Sequence, residues 1–178
     1  MKVLVLTGSP HEHGMSAELA DAFCRGAEES GHEIIRFDTA KMDIHPCKGC
    51  FSCHKGSEVC VQDDDMKQIL PHLLAAEVFV LVSPLYYFNL SSQLKTAVDR
   101  FFPVNEQLKT LPKKAILLAT CGNKNEWIAE GMIGSLAAMR RHLNLEDGGS
   151  VISFGCRDKE ALQEGGYTMA AENLGRSL

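Results

Sequence analysis

Five short apolar strand-forming runs, alternating with segments of helical periodicity, set what this chain can fold into. They are KVLVLT (2–7), EIIRFD (33–38), VFVLVS (78–83), AILLAT (115–120) and SVISFG (150–155). Residues 15–30 place Leu19, Ala22, Phe23 and Ala27 on one helical stripe, and Gly31 suits its C-terminal stop. Helical patterns recur at 66–76, at 90–102 (Leu94, Val98, Phe101, Phe102) and at 126–143, which ends in Arg140, Arg141 and His142. A last pattern, 158–175, is split by Gly165-Gly166. Strands this apolar are buried on both faces, so the class is α/β: a parallel sheet between two helical layers. Right-handed crossovers leave few topologies. The expected strand order is 2-1-3-4-5, with ligands beyond the strand C-termini at the switch between the first and third strands.

At 178 residues the chain suits one domain, 1–178. A net charge of −5 argues against nucleic acid or an anionic membrane as partner. No apolar run approaches the roughly 20 residues of a membrane span. The start, MKVLVLTGSP, lacks a signal-peptide core and cleavage site, so a cytoplasmic location is expected. The stretch 39–64 has no clear period and is long for an α/β connection.

Three loops follow strand ends. T-G-S-P-H-E-H-G-M-S (7–16) sits where backbone amides and a helix N-terminus can hold an anion, with Ser9 and Ser16 as hydroxyl donors and Gly14 permitting close approach. It is neither G-x-G-x-x-G nor a P-loop. The alternative is a plain turn with Ser16 as helix N-cap. S-P-L-Y-Y-F-N (83–89) carries three consecutive aromatics that cannot all face one core; Phe88 suits either packing or an open crevice. Thr120-Cys121-Gly122-Asn123 ends the fourth run, and Cys121 reads as a small buried residue rather than a catalytic one.

Together these motifs resemble the NADPH-dependent FMN reductase branch of the flavodoxin-like proteins. G-S-P-x-x-x-G-x-S resembles that group's phosphate loop, S-P-L-Y-Y-F its flavin loop, and L-K-T-A-V-D-R (94–100) the helix near its subunit interface. The resemblance implies a flavodoxin-like three-layer sandwich and an FMN cofactor. Ser9, His11, Gly14, Met15, Ser16 and Ala17 would meet the phosphate. Pro84, Leu85, Tyr86, Tyr87, Phe88 and Asn89 would meet the isoalloxazine edge, and Thr120, Cys121 and Gly122 its pyrimidine end. No catalytic side chain is required, because the cofactor carries the chemistry. Departures are His11, Glu12 and His13, where the family is often basic, and Met15, where it often has Asn. Glu12 beside a phosphate is unfavourable unless it points away.

The stretch 47–60, CKGCFSCHKGSEVC, holds four of the seven cysteines, spaced C-x2-C-x2-C-x6-C. A reducing compartment disfavours disulfides. Zinc, a 4Fe–4S cluster on Cys47, Cys50, Cys53 and Cys60, and a metal-free loop all remain open. Followed by V-Q-D-D-D-M, the pattern resembles the cysteine loop of iron–sulfur flavoproteins, inserted at about 39–64. Lys48, Gly49, Lys55 and Gly56 suit an anionic cluster. Asp63, Asp64 and Asp65 read as helix-capping residues. Lys95, Asp99 and Arg100 read as a solvated face or, by resemblance, a dimer contact. Trp127 reads as buried or as capping a neighbouring subunit's flavin pocket. The implied function is electron transfer between NAD(P)H or a ferredoxin-like donor and an acceptor, in a homodimer or homotetramer. Alternatives are a cluster-free NAD(P)H-dependent FMN or quinone reductase, a non-enzymatic carrier, and a metal-sensing module.

Overall fold

A computed structural model describes residues 1–54 and 59–178. Five parallel strands, β1 (Lys2–Thr7), β2 (Glu33–Asp38), β3 (Val78–Pro84), β4 (Lys114–Thr120) and β5 (Glu146–Ser153), form one sheet in the order β2-β1-β3-β4-β5. Alternation along each strand splits its apolar residues between two cores. Val3, Val5, Val80 and Val82 pack on α1 (Met15–Glu29) and α7 (Tyr167–Arg176); Leu4, Leu6, Phe79 and Leu81 pack on α2 (Met66–Ala75), α3 (Ser92–Asp99) and α5 (Glu130–Leu143). Each fully buried side chain of this size contributes roughly 1.5–3 kcal/mol of transfer free energy. Among the described residues no helix is long and apolar enough to cross a membrane.

Three elements differ from the expected spans. β5 starts at Glu146, ahead of the apolar run, and ends at Ser153. Its polar first half lies on the outermost strand, and Gly148-Gly149 passes a register shift where Gly149 has φ +97°. The expected helix 90–102 ends at Asp99; a 3-10 turn (Phe102–Val104) and the short α4 (Asn105–Leu108) follow, with Pro103 in the turn. The pattern at 126–143 begins as a 3-10 turn (Glu126–Ala129) before α5. The double glycine divides the last pattern into α6 (Lys159–Glu164) and α7, as expected, with Gly166 at φ +72°.

Glycine sets one helix contact. α1 and α7 cross so closely that a Cβ on Gly26 would strike the Glu172 carbonyl, and one on Gly175 the Phe23 carbonyl.

Among the described residues of 39–64 the only regular elements are 3-10 turns at Thr39–Lys41 and Ser52–His54, and the stretch is tied at its ends. The Asp43 amide donates to Asp65 Oδ2 (2.8 Å) and the Asp65 amide to the Asp43 carbonyl (3.0 Å). The Gln62 side chain donates to the Pro46 carbonyl (3.1 Å). Met42 and Ile44 pack on the α2–α3–α5 core. His54 lies against Phe102, ring centroids 5.4 Å apart.

Candidate functional site

The C-terminal ends of β1, β3, β4 and β5 open on a cleft of about 480 Å³. Of the residues expected to bind a cofactor, Ser9, His11, Gly14, Met15, Ser16, Pro84, Leu85, Tyr86, Thr120 and Gly122 line it. Ala17 and Cys121 are buried beside it, the Cys121 sulfur accepting the Asn123 amide at 3.2 Å, which bears out Cys121 as a packed residue.

The loop after β1 is tethered by the Gly8 amide to the Val82 carbonyl (2.9 Å) and folded by the His11 amide to Ser9 Oγ (3.1 Å) and the Gly14 amide to the His11 carbonyl (3.2 Å). A Cβ on Gly14 would lie 3.0 Å from His11 Cβ, so the turn favours glycine. The Ser16 N-cap reading is corrected here. Gly14 is the N-cap of α1, in extended conformation and without a capping side chain. Ser16 instead turns inward to Thr120 Oγ1, 2.8 Å away. The first-turn amides of α1 therefore have no side-chain cap and carry the positive end of the helix dipole at the cleft. Glu12 does point away: it pairs with Lys41 at 2.7 Å, and that hydrogen bond holds its carboxyl below the ordinary range.

Four further cleft residues, His13, Arg157, Asp158 and Lys159, were not among the expected cofactor-binding residues. Lys159 lies 3.2 Å from Glu18, and Asp158 between the two cations caps α6 by accepting the Ala161 amide (2.8 Å). The signal was present: R-D-K follows a strand C-terminus, the end at which this sheet class binds ligands.

Residues 86–89 form a two-residue turn. The Tyr86 amide donates to the Asn89 carbonyl (3.0 Å) and the Asn89 amide to the Tyr86 carbonyl (3.1 Å). Tyr87 (φ 45°) and Phe88 (φ 70°) occupy left-handed positions usually given to Asn and Gly. Each costs roughly 1–2 kcal/mol. Leu85's amide is held by the Thr120 carbonyl (2.9 Å), so Tyr87 and Phe88 carry the turn's remaining backbone donors. Asn89 steadies the turn on α5 through Ser135 Oγ, 3.0 Å away. The packed reading of Phe88 and the buried reading of Trp127 are both corrected: they are 43% and 59% exposed and stack on each other, centroids 5.8 Å apart at 24°. Tyr87 is 94% exposed.

The cysteine stretch lies apart from this cleft. All seven cysteines are free; Cys47 and Cys50 are exposed, Cys53 and Cys60 partly so. A hydrogen bond from Ser52 lowers the Cys50 pKa. Burial raises that of Cys53, and Cys60, Cys47 and Cys50 add to the rise, so each of these three thiols is within electrostatic reach of Cys53. Among the described residues no three His, Cys, Asp or Glu side chains form an assembled metal site. Lys55 and Gly56 lie outside the described residues.

Two readings in this region are overturned. Arg100 is not on a solvated face, its residue being 2% exposed. Asp64 is not simply a capping residue: its buried carboxylate accepts from Arg100 Nη1 (2.5 Å), Arg100 Nη2 (3.0 Å), the His45 amide (3.0 Å) and the Met66 amide (3.2 Å). Burial pushes the Asp64 carboxyl up, but Arg100 and the two amides outweigh it and the net direction is down. Arg100 also donates to the His45 carbonyl (2.7 Å) and to the Cys60 sulfur (3.3 Å). Lys95 and Asp99 do form an exposed ion pair on α3.

Comparison with known proteins places this geometry in context. Residues 1–146 match the family described as NADPH-dependent FMN reductase. An iron–sulfur flavoprotein of Archaeoglobus fulgidus is 35% identical over 103 residues, covering 58% of this chain and 46% of that protein. The chain spans less than two thirds of the length of the iron–sulfur flavoproteins it matches. An FMN-dependent NADH:quinone oxidoreductase of Methylorubrum extorquens is 27% identical over 190 aligned positions, covering all of this chain and 94% of that one. An FMN-dependent NADH-azoreductase from Bacillus anthracis, solved in complex with FMN, superposes with TM-score 0.77 at 19% identity, covering 99% of this chain and 98% of that one.

Proposed function

The chain belongs to the NADPH-dependent FMN reductase family, and on that premise we propose that it is an FMN-dependent NAD(P)H oxidoreductase whose cofactor lies in the cleft between β1, β3, β4 and β5. The observation that carries this is the α1 N-terminus, which opens on the cleft without a capping side chain, beside Arg157 and Lys159. A dianionic phosphate supplies the acceptors those amides lack, and the two cations add favourable charge beside it. The cleft volume suits a mononucleotide. Ser9, His11, Gly14, Met15, Ser16 and Ala17 form the phosphate end. Pro84 to Asn89 and Thr120 to Gly122 flank the ring, where the Tyr87 and Phe88 amides can donate to it. Bound FMN supplies hydride acceptance and one-electron transfer; the chain's own residues bind it, orient it and wall it with aromatics. The exposed Tyr87, Phe88 and Trp127 favour a homo-oligomer in which this wall meets a second copy.

We read Cys47, Cys50, Cys53 and Cys60 as the thiols that would hold a 4Fe–4S cluster, in the manner of the iron–sulfur flavoproteins. The donor chemistry fits, being four free thiols, three of them within electrostatic reach of Cys53. A ferredoxin-like partner would then be an alternative electron source. One observation favours a second reading, a quinone reductase without a cluster: no assembled ligand set exists among the described residues. Titrating the apo-flavin protein with FMN and with riboflavin tests the first proposal. FMN should bind at least 100-fold more tightly; equal affinities would remove the phosphate site. Anaerobic iron and sulfide analysis then separates the two readings of the cysteines.

A further inference from the structure

α3 ends at Asp99, and Arg100, its C-cap residue, turns inward instead of toward solvent. Its guanidinium meets three parts of the cysteine stretch at once: the His45 carbonyl before the cysteine triple, the Cys60 sulfur, and Asp64 just beyond. Asp64 closes the arrangement by accepting the His45 amide, 3.0 Å away. The two ends of the stretch are therefore joined through one buried ion pair. Cys60 is the remote member of the four, separated from Cys53 by six residues, so its place relative to the triple is the least determined by local sequence. Arg100 suits this task because its planar fork can serve a carboxylate, a carbonyl and a sulfur together, which a lysine ammonium cannot. Removal from water makes such a contact selective, since an unpaired buried charge is strongly disfavoured.

We propose that Arg100, held by Asp64, is a positioning residue that sets Cys60 in place to share a metal centre with Cys47, Cys50 and Cys53. This rests on the reading of the four thiols as a metal site. Groups that orient a ligand from behind typically change metal affinity about 10- to 100-fold when removed.

The test uses the full chain with FMN bound, reduced and metal-free under anaerobic conditions. Cobalt(II) is the probe, because its thiolate absorption in the near ultraviolet scales with the number of sulfurs bound. Wild type should show four thiolates per cobalt and Cys60→Ser three. Arg100→Gln should fall toward three and bind about 10- to 100-fold more weakly. Arg100→Lys should recover only part of the loss. In the Cys60→Ser background Arg100→Gln should have no further effect, which a merely structural role would not produce. The Arg100→Gln/Asp64→Asn double variant removes both charges together and strands neither; it should still lose the fourth thiolate. FMN affinity should stay at the wild-type value throughout. Wild-type sulfur count and affinity in the arginine variants would overturn the proposal, as would an equal Arg100→Gln effect without Cys60. A wild-type protein that gives no thiolate–cobalt absorption and takes up no iron and sulfide on anaerobic reconstitution would refute the metal-site reading and the inference with it.

Discussion

Gly131→Ala should loosen the aromatic turn. Gly131 lies in the first turn of α5, and a Cβ built there sits 2.6 Å from the Phe88 carbonyl oxygen, against the 3.4 Å at which ordinary contact begins. The obstacle is backbone, so no rotamer change removes it. The turn must lift off α5, and it already holds Tyr87 and Phe88 in left-handed conformations. Two effects compete. Alanine in a helix is favoured over glycine by up to about 1 kcal/mol, while overpacking costs about 1–3 kcal/mol. The clash should prevail by about 1 kcal/mol, which for a chain of this size lowers Tm by roughly 2–4 °C. FMN affinity should fall about tenfold, or 1.4 kcal/mol, because the displaced carbonyl belongs to the turn assigned to the ring. Gly134→Ala is the internal control: it lies in the same helix, and its Cβ would meet nothing within 4 Å. That variant should gain stability by up to about 1 kcal/mol and keep FMN affinity. Thermal melts and FMN fluorescence quenching measure both. If Gly131→Ala melts above wild type and binds FMN equally, the turn is not held by this close approach.

Gly26→Ala should destabilise by about 1–3 kcal/mol in chemical denaturation, since α1 must move off the Glu172 carbonyl of α7. Asp64, with its pKa lowered in the fold, contributes stability that is fully present above its unfolded value of about 3.9 and is lost as pH falls through the lower folded value. The stability difference between wild type and Asp64→Asn should therefore narrow in urea melts taken below pH about 4; a difference independent of pH would contradict the pairing. Burial pushes the Cys24 thiol up to about 11, so at pH 8 iodoacetamide should label the exposed Cys47 and Cys50 well before Cys24, as read by peptide mass spectrometry.

What the sequence made legible follows from how local each signal is. The runs at 2–7, 78–83 and 115–120 announce buried parallel strands because each is apolar along its whole length, and burial on both sheet faces demands that. β5 shows the limit: E-D-G-G is strand through its pairing with β4 at the sheet edge, which composition does not record. The loop after β1 was readable in outline as a turn into a helix, but the choice between a serine N-cap and an open helix end depended on Thr120, 104 residues away, which takes the Ser16 hydroxyl. The inward turn of Arg100 was hidden for the same reason. Its local pattern reads as the end of an amphipathic helix, and its partner is one of three consecutive aspartates with the same composition and three different environments.

The two candidate sites also differ in how finished they are, and this bears on how the chain can be interrogated. The cleft at the strand ends is held by backbone: β1 to β3 through Gly8, β3 to β4 through Leu85, and β4 to β5 through Cys121, whose amide donates to the Ser153 carbonyl at 2.9 Å. It needs no metal to form. The cysteine stretch is fixed at Asp43, His45 and Asp64 but presents no assembled ligand set among the described residues. There, metal binding would supply ordering free energy. A cluster-bearing protein and a cluster-free reductase built on this chain would thus share one flavin site. Flavin binding or reduction by a nicotinamide cannot tell them apart; a change in the ordering of residues 46–54 on adding metal, with FMN affinity unchanged, can.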